Sequence, residues 1–353
     1  MKNFDYGGYG INDSIDWSKV NKVLIYQGKN LGDVLLSTPV SRVLCRLNPN
    51  VSIIWVVKPA SRAILSASPN VMAVIDEPKS IFSAFFLGVK HRKIDLFIDL
   101  HGSKGSTAMF LGATPKYSTG VPTLKPKFFR MHSHTLSKKP VVGRHKIEEN
   151  LDCLRRLGCT VSASEKRPLV ARGSEIVSRQ DRPYIIVHPG SRWLFKTTPM
   201  SFWVDLICKL RERTGFEIKV TGSNEDFEGG FSSEIAVASK AVNLVGKTSL
   251  QEQISLIAGA SLFVGVDSFC AHLASTFEIS GAVIFGPTDE KVWGPLQEVS
   301  NLIVIKSEQH TCRPCGLDGC GRGKVSDCLT VIDAAKVAGQ LLETQNSVGK
   351  RGA

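Results

Sequence analysis

The chain has 353 residues, 42% hydrophobic and 22% charged, long enough to bury two cores. No run approaches the roughly 18 apolar residues of a membrane span, and Met1 to Trp17 hold no apolar leader, so a soluble cytoplasmic protein is expected. The net charge of +12 is lopsided. Residues 1–182 carry 28 Lys and Arg against 14 Asp and Glu, and residues 183–353 carry 16 against 18, so the first half suits an anionic partner unless its basic face is merely solvated.

In chain order, a strand at Lys22 to Tyr26 leads through a glycine-bearing loop, Gln27 to Gly32, into a helix from Asp33 to about Arg46. Pro39 inside that helix predicts a kink or an early first turn. Further strands are expected at Ser52 to Val57, Val74 to Ile75, Asp95 to Leu100 and Lys116 to Thr119. Between them, Ser80 to Lys93 is an apolar run ending in Lys90, His91, Arg92 and Lys93. It reads as a buried helix with a basic end, the alternative being a helix resting on a membrane face. Pro122 to His145 is basic and weakly periodic, a long functional loop, followed by a helix at Ile147 to Leu157.

A polar stretch near Gly173 to Asp181 marks an interdomain linker. Strands then follow at Tyr184 to His188, Glu217 to Thr221, Val242 to Leu244, Leu262 to Val266 and Ala282 to Phe285. They alternate with helices at Ser201 to Thr214, Ser232 to Ser239, Leu250 to Ala258 and Ala271 to Phe277, and a last helix spans Asp333 to Glu343 with a disordered tail. Such alternation implies parallel βαβ units, hence an α/β chain of two doubly wound, Rossmann-like domains. The expected division is 1–178, 179–330 and a C-terminal helix and tail at 331–353.

Three turns carry unusual polar content, all at the carboxyl ends of strands, where such sheets bind ligands. Gly28 to Pro39 (GKNLGDVLLSTP) lacks a dinucleotide fingerprint, and its Asp33 either caps the helix or takes a proton from a substrate hydroxyl. His188 to Pro199 (HPGSRWLFKTTP) sets Ser191, Arg192 and Lys196 after a buried strand, the donors a phosphate needs. Asp267 and Ser268 open a helix after Val266, so backbone N–H groups there can hold a diphosphate. Asp267 would then orient donors or a sugar hydroxyl, and His272 is either a ligand group or a satisfied buried histidine.

Nine cysteines occur, four of them as Cys312-x2-Cys315-x4-Cys320-x7-Cys328 in a Gly-rich loop. In a reducing compartment these are either a structural zinc site or free loop thiols, since the spacing is irregular for a zinc ribbon.

The three turns, in this order, resemble glycosyltransferase family 9, the ADP-heptose:lipopolysaccharide heptosyltransferases. Leu31 to Pro39 matches the family's L-G-D-V-L-L-x-T-P, His188 to Lys196 its H-P-G-S-R-W-x-x-K, Asp267 to Ala274 its D-S-x-x-x-H-x-A and Phe285 to Asp289 its F-G-P-T-D. The cysteine loop is most similar to that of the subgroup adding the third, branching heptose. The resemblance implies a GT-B fold whose two domains face a central cleft, with acceptor bound by the first domain and ADP-heptose by the second. It implies inverting transfer that requires no metal or other cofactor, in agreement with the lack of a D-x-D motif. Asp33 falls on the family's proposed base. Ser191, Arg192, Lys196, Asp267, Ser268 and His272 fall on donor-binding positions, and Phe269 stands where many members have glycine.

The acceptor implied is a phosphorylated, Kdo-bearing lipid of the inner core, with Arg62, His101, Lys104 and Arg130 as its contacts and the cytoplasmic face of the inner membrane as a peripheral partner. A monomer without nucleic-acid partners is expected. The other readings are transfer to Kdo or to the first heptose, a nucleotide-sugar epimerase of the same architecture, and a nucleic-acid-binding module, which the basic first half permits but no aromatic-basic motif supports.

Overall fold

The structure is a computed structural model and describes residues 15–65, 68–121, 134–135, 143–170, 183–224 and 226–349. The chain divides into two compact units, Met1–Pro140 with Ile147–Lys166, and Val141–Lys146 with Arg167–Ala353. The division at Arg167 precedes the expected boundary at 179, and the expected linker at Gly173 to Asp181 lies outside the described residues.

The first unit runs β1 (Lys22–Gln27), α1 (Leu31–Leu35), α2 (Pro39–Leu47), β2 (Ser52–Val57), α3 (Arg62–Leu65), β3 (Val71–Asp76), α4 (Ile81–Lys90), β4 (Leu96–Asp99), α5 (Lys104–Ala113), β5 (Tyr117–Gly120), β6 (His134–Thr135) and α6 (Lys146–Arg155), the first residue of α6 being assigned to the other unit. Its strands form one parallel sheet in the order β3-β2-β1-β4-β5-β6. Runs such as Val23-Leu24-Ile25-Tyr26 and Ile53-Ile54-Trp55-Val56 are buried throughout because helices cover both faces of such a sheet.

The helix expected from Asp33 to Arg46 is two helices. Pro39 cannot donate to Leu35 and starts α2 at its first position. In the break, Ser37 Oγ and Thr38 Oγ1 donate to Val34 O and Leu35 O at 2.7 Å each. Asn150 Nδ2 of α6 donates to Leu36 O at 3.0 Å. These bonds satisfy carbonyls that a continuous helix would have used and hold the short α1 in place.

Helix α4 corrects a second expectation. It forms where the apolar run predicts, with Ser80 and Ser83 making a capping box, but it is not a buried helix. Only Ala84 and Gly88 are buried, while Ile81, Phe82, Phe85 and Phe86 are 52, 78, 39 and 66% exposed. The buried edge packs tightly on α5. A methyl on Gly88 would collide with Met109 O, and one on Gly112 with Phe85 O. Gly88→Ala should therefore lower unfolding stability by about 1–3 kcal/mol through forced separation of the two backbones; a denaturation midpoint equal to wild type would show that the helices are not so close.

The second unit runs β7 (Tyr184–His188), α7 (Met200–Thr214), β8 (Glu217–Val220), α8 (Asp226–Ala238), β9 (Val242–Asn243), α9 (Leu250–Ala258), β10 (Leu262–Val266), α10 (Phe269–Thr276), β11 (Gly281–Phe285), α11 (Glu290–Trp293), β12 (Leu302–Lys306), α12 (Asp327–Thr330) and α13 (Ala334–Gly349). The sheet order is β12-β11-β10-β7-β8-β9, again all parallel. Trp203, Leu206 and Leu210 of α7 and Val337, Ala338 and Leu341 of α13 fill its core with the strand residues. Helix α13 thus belongs to this unit and continues to Gly349, past the expected start of a disordered tail. Strand β12 was not among the expected elements.

Each sheet reverses its strand order once, between β1 and β4 in the first unit and between β7 and β10 in the second. The crevice beyond the carboxyl ends at such a point is where a doubly wound sheet binds ligands.

Candidate functional site

In the second unit the switch point brings together the turns after β7 and β10, whose strands are hydrogen-bonded with Gly265 opposite His188. Lys196 Nζ, in a single 3-10 turn at Leu194–Lys196, donates to Asp267 Oδ2 at 2.6 Å. Thr288 Oγ1, after β11, donates to the same oxygen at 2.9 Å. The Asp267 side chain is 6% exposed and that of Lys196 17%, so the pair is largely removed from water. A buried carboxylate needs such partners. Asp267 therefore fixes the ammonium and the hydroxyl in place.

Ser268 is the N-cap of α10 with extended backbone, yet its side chain makes no capping bond. Its Oγ is buried and has no hydrogen-bond partner among the described residues. A buried hydroxyl left unpaired at a helix N-terminus suits a phosphate oxygen. The following helix is eight residues long, and Phe269 opens it.

His188 and Ser191 are buried behind this edge. His188 Nδ1 lies 3.0 Å from Thr221 Oγ1, to which Gln253 Nε2 also donates at 3.2 Å, and Ser191 Oγ accepts the Trp193 N–H at 3.1 Å. Arg192 is exposed, its guanidinium 5.7 Å from the centroid of the exposed Trp193 ring. The two form a ledge on solvent.

His272 is buried in α10, and its pKa is pushed down to about 4. Burial is the main cause, opposed by Asp267 and reinforced by His145 and Lys196. His145, whose Nε2 is 2.8 Å from Gly294 O, belongs to the same unit. At neutral pH His272 is therefore uncharged and can offer a hydrogen bond but no positive charge.

The unfolded histidine takes up a proton near its ordinary 6.5 and the folded one only near 4, so the stability present above pH 6.5 is lost as pH falls through that window. Unfolding free energy should drop by about 2 kcal/mol between pH 7.5 and 5 on this account. His272→Asn should remove that component, and equal pH slopes for variant and wild type in urea denaturation would refute it.

In the first unit the switch-point loop carries Asp33 in the first turn of α1, partly buried. Asn30, not Asp33, is the N-cap, and its Oδ1 accepts from Lys58 Nζ at 3.3 Å. The Asp33 carboxylate forms no hydrogen bond or ion pair among the described residues. Of the two roles its position allowed, capping is thus excluded.

The same edge gathers residues the sequence did not single out. Glu77, just after β3, lies 3.3 Å from Tyr26 Oη, which donates to it, and 3.4 Å from His101 Nδ1. Gly28 passes directly over this group, where a Cβ would come within 2.7 Å of His101 Nδ1 and closer still to the Glu77 carboxylate. His101 stacks on Tyr26 at 6.1 Å between centroids and has its pKa lowered, chiefly by burial. Asp99 fixes the turn beneath by accepting from the N–H groups of His101 and Gly102 and from Ser106 Oγ at 3.0, 2.8 and 2.6 Å.

Of the other expected acceptor contacts, Lys104 is exposed at the start of α5. Arg62 is engaged by Asp76 at 2.6 Å instead of standing free. Arg130 lies outside the described residues, as does most of the Pro122 to His145 loop.

Cys312, Cys315 and Cys320 are exposed and Cys328 is buried. Among the described residues no group of three or more His, Cys, Asp or Glu side chains is gathered for a metal ion, although Cys320, Cys315 and Cys312 lie near enough to Cys328 to add to the burial that raises its pKa. The loop braces the turns after β11 and β7. Arg313 Nε donates to Gly286 O at 2.5 Å, the Gly316 N–H to Pro287 O at 2.8 Å, and Ser326 Oγ to Phe195 O at 2.7 Å.

Thr288, Thr221, Gln253 and Glu77 are the site residues that sequence reasoning missed. Thr288 alone had a signal, its place inside Phe285 to Asp289.

Comparison with known proteins agrees with the fold. The chain is 29% identical to "Lipopolysaccharide heptosyltransferase 3" of Escherichia coli K12 over 170 residues, 45% of this chain and 49% of that protein. It is 26% identical to "Lipopolysaccharide heptosyltransferase 1" of Pseudomonas aeruginosa over 134 residues, 38% and 36% of the two. The chain thus spans about half or less of the length of these curated relatives. Among solved structures, E. coli ADP-heptose LPS heptosyltransferase II superposes with a TM-score of 0.75 at 20% identity over 93% of this chain and 99% of that one. E. coli heptosyltransferase WaaC with ADP gives 0.67 at 20% over 92% and 99%. The expected α/β class, GT-B with two Rossmann-like domains, is therefore the observed one. The pattern of glycosyltransferase family 9 (heptosyltransferase) matches residues 83–324, well over half of the sequence, and the chain belongs to that family.

Proposed function

We propose that this protein transfers heptose from ADP-heptose to a heptose of the lipopolysaccharide inner core, with inversion and without a metal ion, at the cytoplasmic face of the inner membrane. The observation that carries this is the grouping at the β7/β10 switch point, where Asp267 holds Lys196 and Thr288 and is followed in the chain by Ser268, whose buried Oγ has no hydrogen-bond partner among the described residues. That set is complementary to a diphosphate that gains negative charge as its sugar leaves.

The first unit supplies the acceptor side. Asp33 takes the proton of the attacking hydroxyl, and His101 and Lys104, on the same unit, receive the phosphorylated acceptor. Its lipid anchor and phosphates give the basic first half a chemical purpose. The branching third heptose is the favoured product because Cys312 to Leu329 resembles the subgroup that adds it, and because "Lipopolysaccharide heptosyltransferase 3" is among the curated relatives.

The test is ADP release from ADP-heptose with and without deacylated inner-core acceptor, in chelator, using acceptors that carry one or two heptoses. Release only with the two-heptose acceptor supports the full assignment. Release with the shorter acceptor shifts the step within the inner core, and turnover of donor alone favours an epimerase or hydrolase.

A further inference from the structure

Helix α4 presents an apolar face that the first unit does not use. Ile81, Phe82, Phe85 and Phe86 recur at i, i+1, i+4 and i+5, an arc of about 140° at ~100° per residue. All four are exposed, Phe82 at 78% and Phe86 at 66%. Three clustered exposed phenylalanines are uncommon on a soluble surface and mark something that covers them. The helix is also firmly seated, since its Gly88 edge is in backbone contact with α5, so its outer face is a fixed ledge.

The charge around this face identifies the occupant. Exposed Lys79 precedes the helix, and exposed Lys90, Arg92 and Lys93 end it. From Pro78 to Ile94 there is no acidic residue. An apolar helix face with cations at both ends fits the boundary between acyl chains and anionic headgroups, where rings enter and lysines reach phosphates. A second copy of the chain fits poorly. Two such helices packed face to face bring like charges together, and four side chains on one convex helix fall well short of the roughly 800 Å² a stable partner covers.

We propose that α4 docks the protein on an anionic lipid bilayer, with Ile81, Phe82, Phe85 and Phe86 at the acyl boundary and Lys79, Lys90, Arg92 and Lys93 on the headgroups. The placement suits the chemistry. Glu77, which touches the Gly28 loop, is only four residues before Ile81, so the start of α4 lies at the sheet edge that carries Asp33. A lipid-anchored acceptor would be met there. The inference deepens the transfer reading by assigning the membrane surface, but vesicle binding is read without any turnover.

Flotation with phosphatidylethanolamine/phosphatidylglycerol vesicles, against pure phosphatidylcholine, is the experiment. Wild type should float with the anionic vesicles and lose binding as salt rises. Phe82→Ser/Phe86→Ser should weaken binding roughly 10-fold or more, and Lys90→Gln/Arg92→Gln/Lys93→Gln by roughly 10- to 100-fold at low salt. Both should keep the wild-type melting point and wild-type turnover of a deacylated, soluble acceptor.

Wild type that stays with the unbound fraction, or a phenylalanine variant that floats as well as wild type, overturns the proposal. So does a lipid-free oligomer that Phe82→Ser/Phe86→Ser dissociates, because the face would then belong to a second copy. Absent turnover of soluble acceptor with intact flotation would defeat the transfer reading and leave the docking surface standing.

Discussion

Asp33→Asn should lower kcat by about 100- to 10,000-fold while leaving KM for ADP-heptose and the melting temperature close to wild type. Three features argue for an effect on rate alone. The side chain lies in a five-residue helix whose N-cap is Asn30, so no capping bond is lost. It has no hydrogen-bond or salt-bridge partner among the described residues, so no buried group is left unpaired. Its carboxylate stands at the switch point of the first sheet, where Gly28 keeps the loop against Glu77 and His101. The amide is isosteric and cannot take a proton. Near-normal single-turnover rates would eliminate Asp33 as the base, whereas a matching fall in stability would make it a structural residue.

Lys196→Ala should act differently, lowering both activity and stability. Loss of the ammonium proposed to face the departing diphosphate is expected to reduce kcat/KM by about 100- to 1,000-fold. It also leaves Asp267, 6% exposed, with only the Thr288 hydroxyl. Breaking a buried pair from one side commonly costs about 3–5 kcal/mol; with Lys196 partly open to water the lower end is expected.

The double variant Lys196→Ala/Asp267→Asn discriminates the two effects. It should recover most of the lost stability, since no uncompensated carboxylate remains, and none of the lost activity. Urea denaturation beside steady-state kinetics measures both. Recovery of turnover in the double variant would mean that Lys196 serves only to neutralise Asp267.

Much of this architecture was legible along the chain. Tyr184–His188, Leu262–Val266 and Leu250–Ala258 fall where they were expected, because each is a short apolar or amphipathic run bounded by Pro, Gly, Asp or Ser. Those signals act within a few residues. The polar turns after β1, β7 and β10 were legible for the same reason, as was the strand-helix alternation that requires parallel sheets. Strand β12 is a short apolar run, Leu302-Ile-Val-Ile, compatible with either strand or buried helix, and only its pairing with β11 decides it.

The amino-acid sequence by itself therefore determined the α/β class, the family and the edge of each sheet that carries the polar turns. All of these follow from local patterns and from motifs written in consecutive residues. Only the tertiary structure decided what the side chains do. Lys196 and Asp267 are 71 residues apart and pair because β7 and β10 are neighbours. Asp33 proved not to be a cap because Asn30 occupies that position. Glu77 joined Gly28 and His101 because β3, β1 and β4 end at one edge of the sheet. The apolar run of α4 was plain to read, but whether its phenylalanines face a core or solvent depends on which helix edge can approach α5. The glycines at 88 and 112 settle that, by allowing two backbones to touch along the other edge.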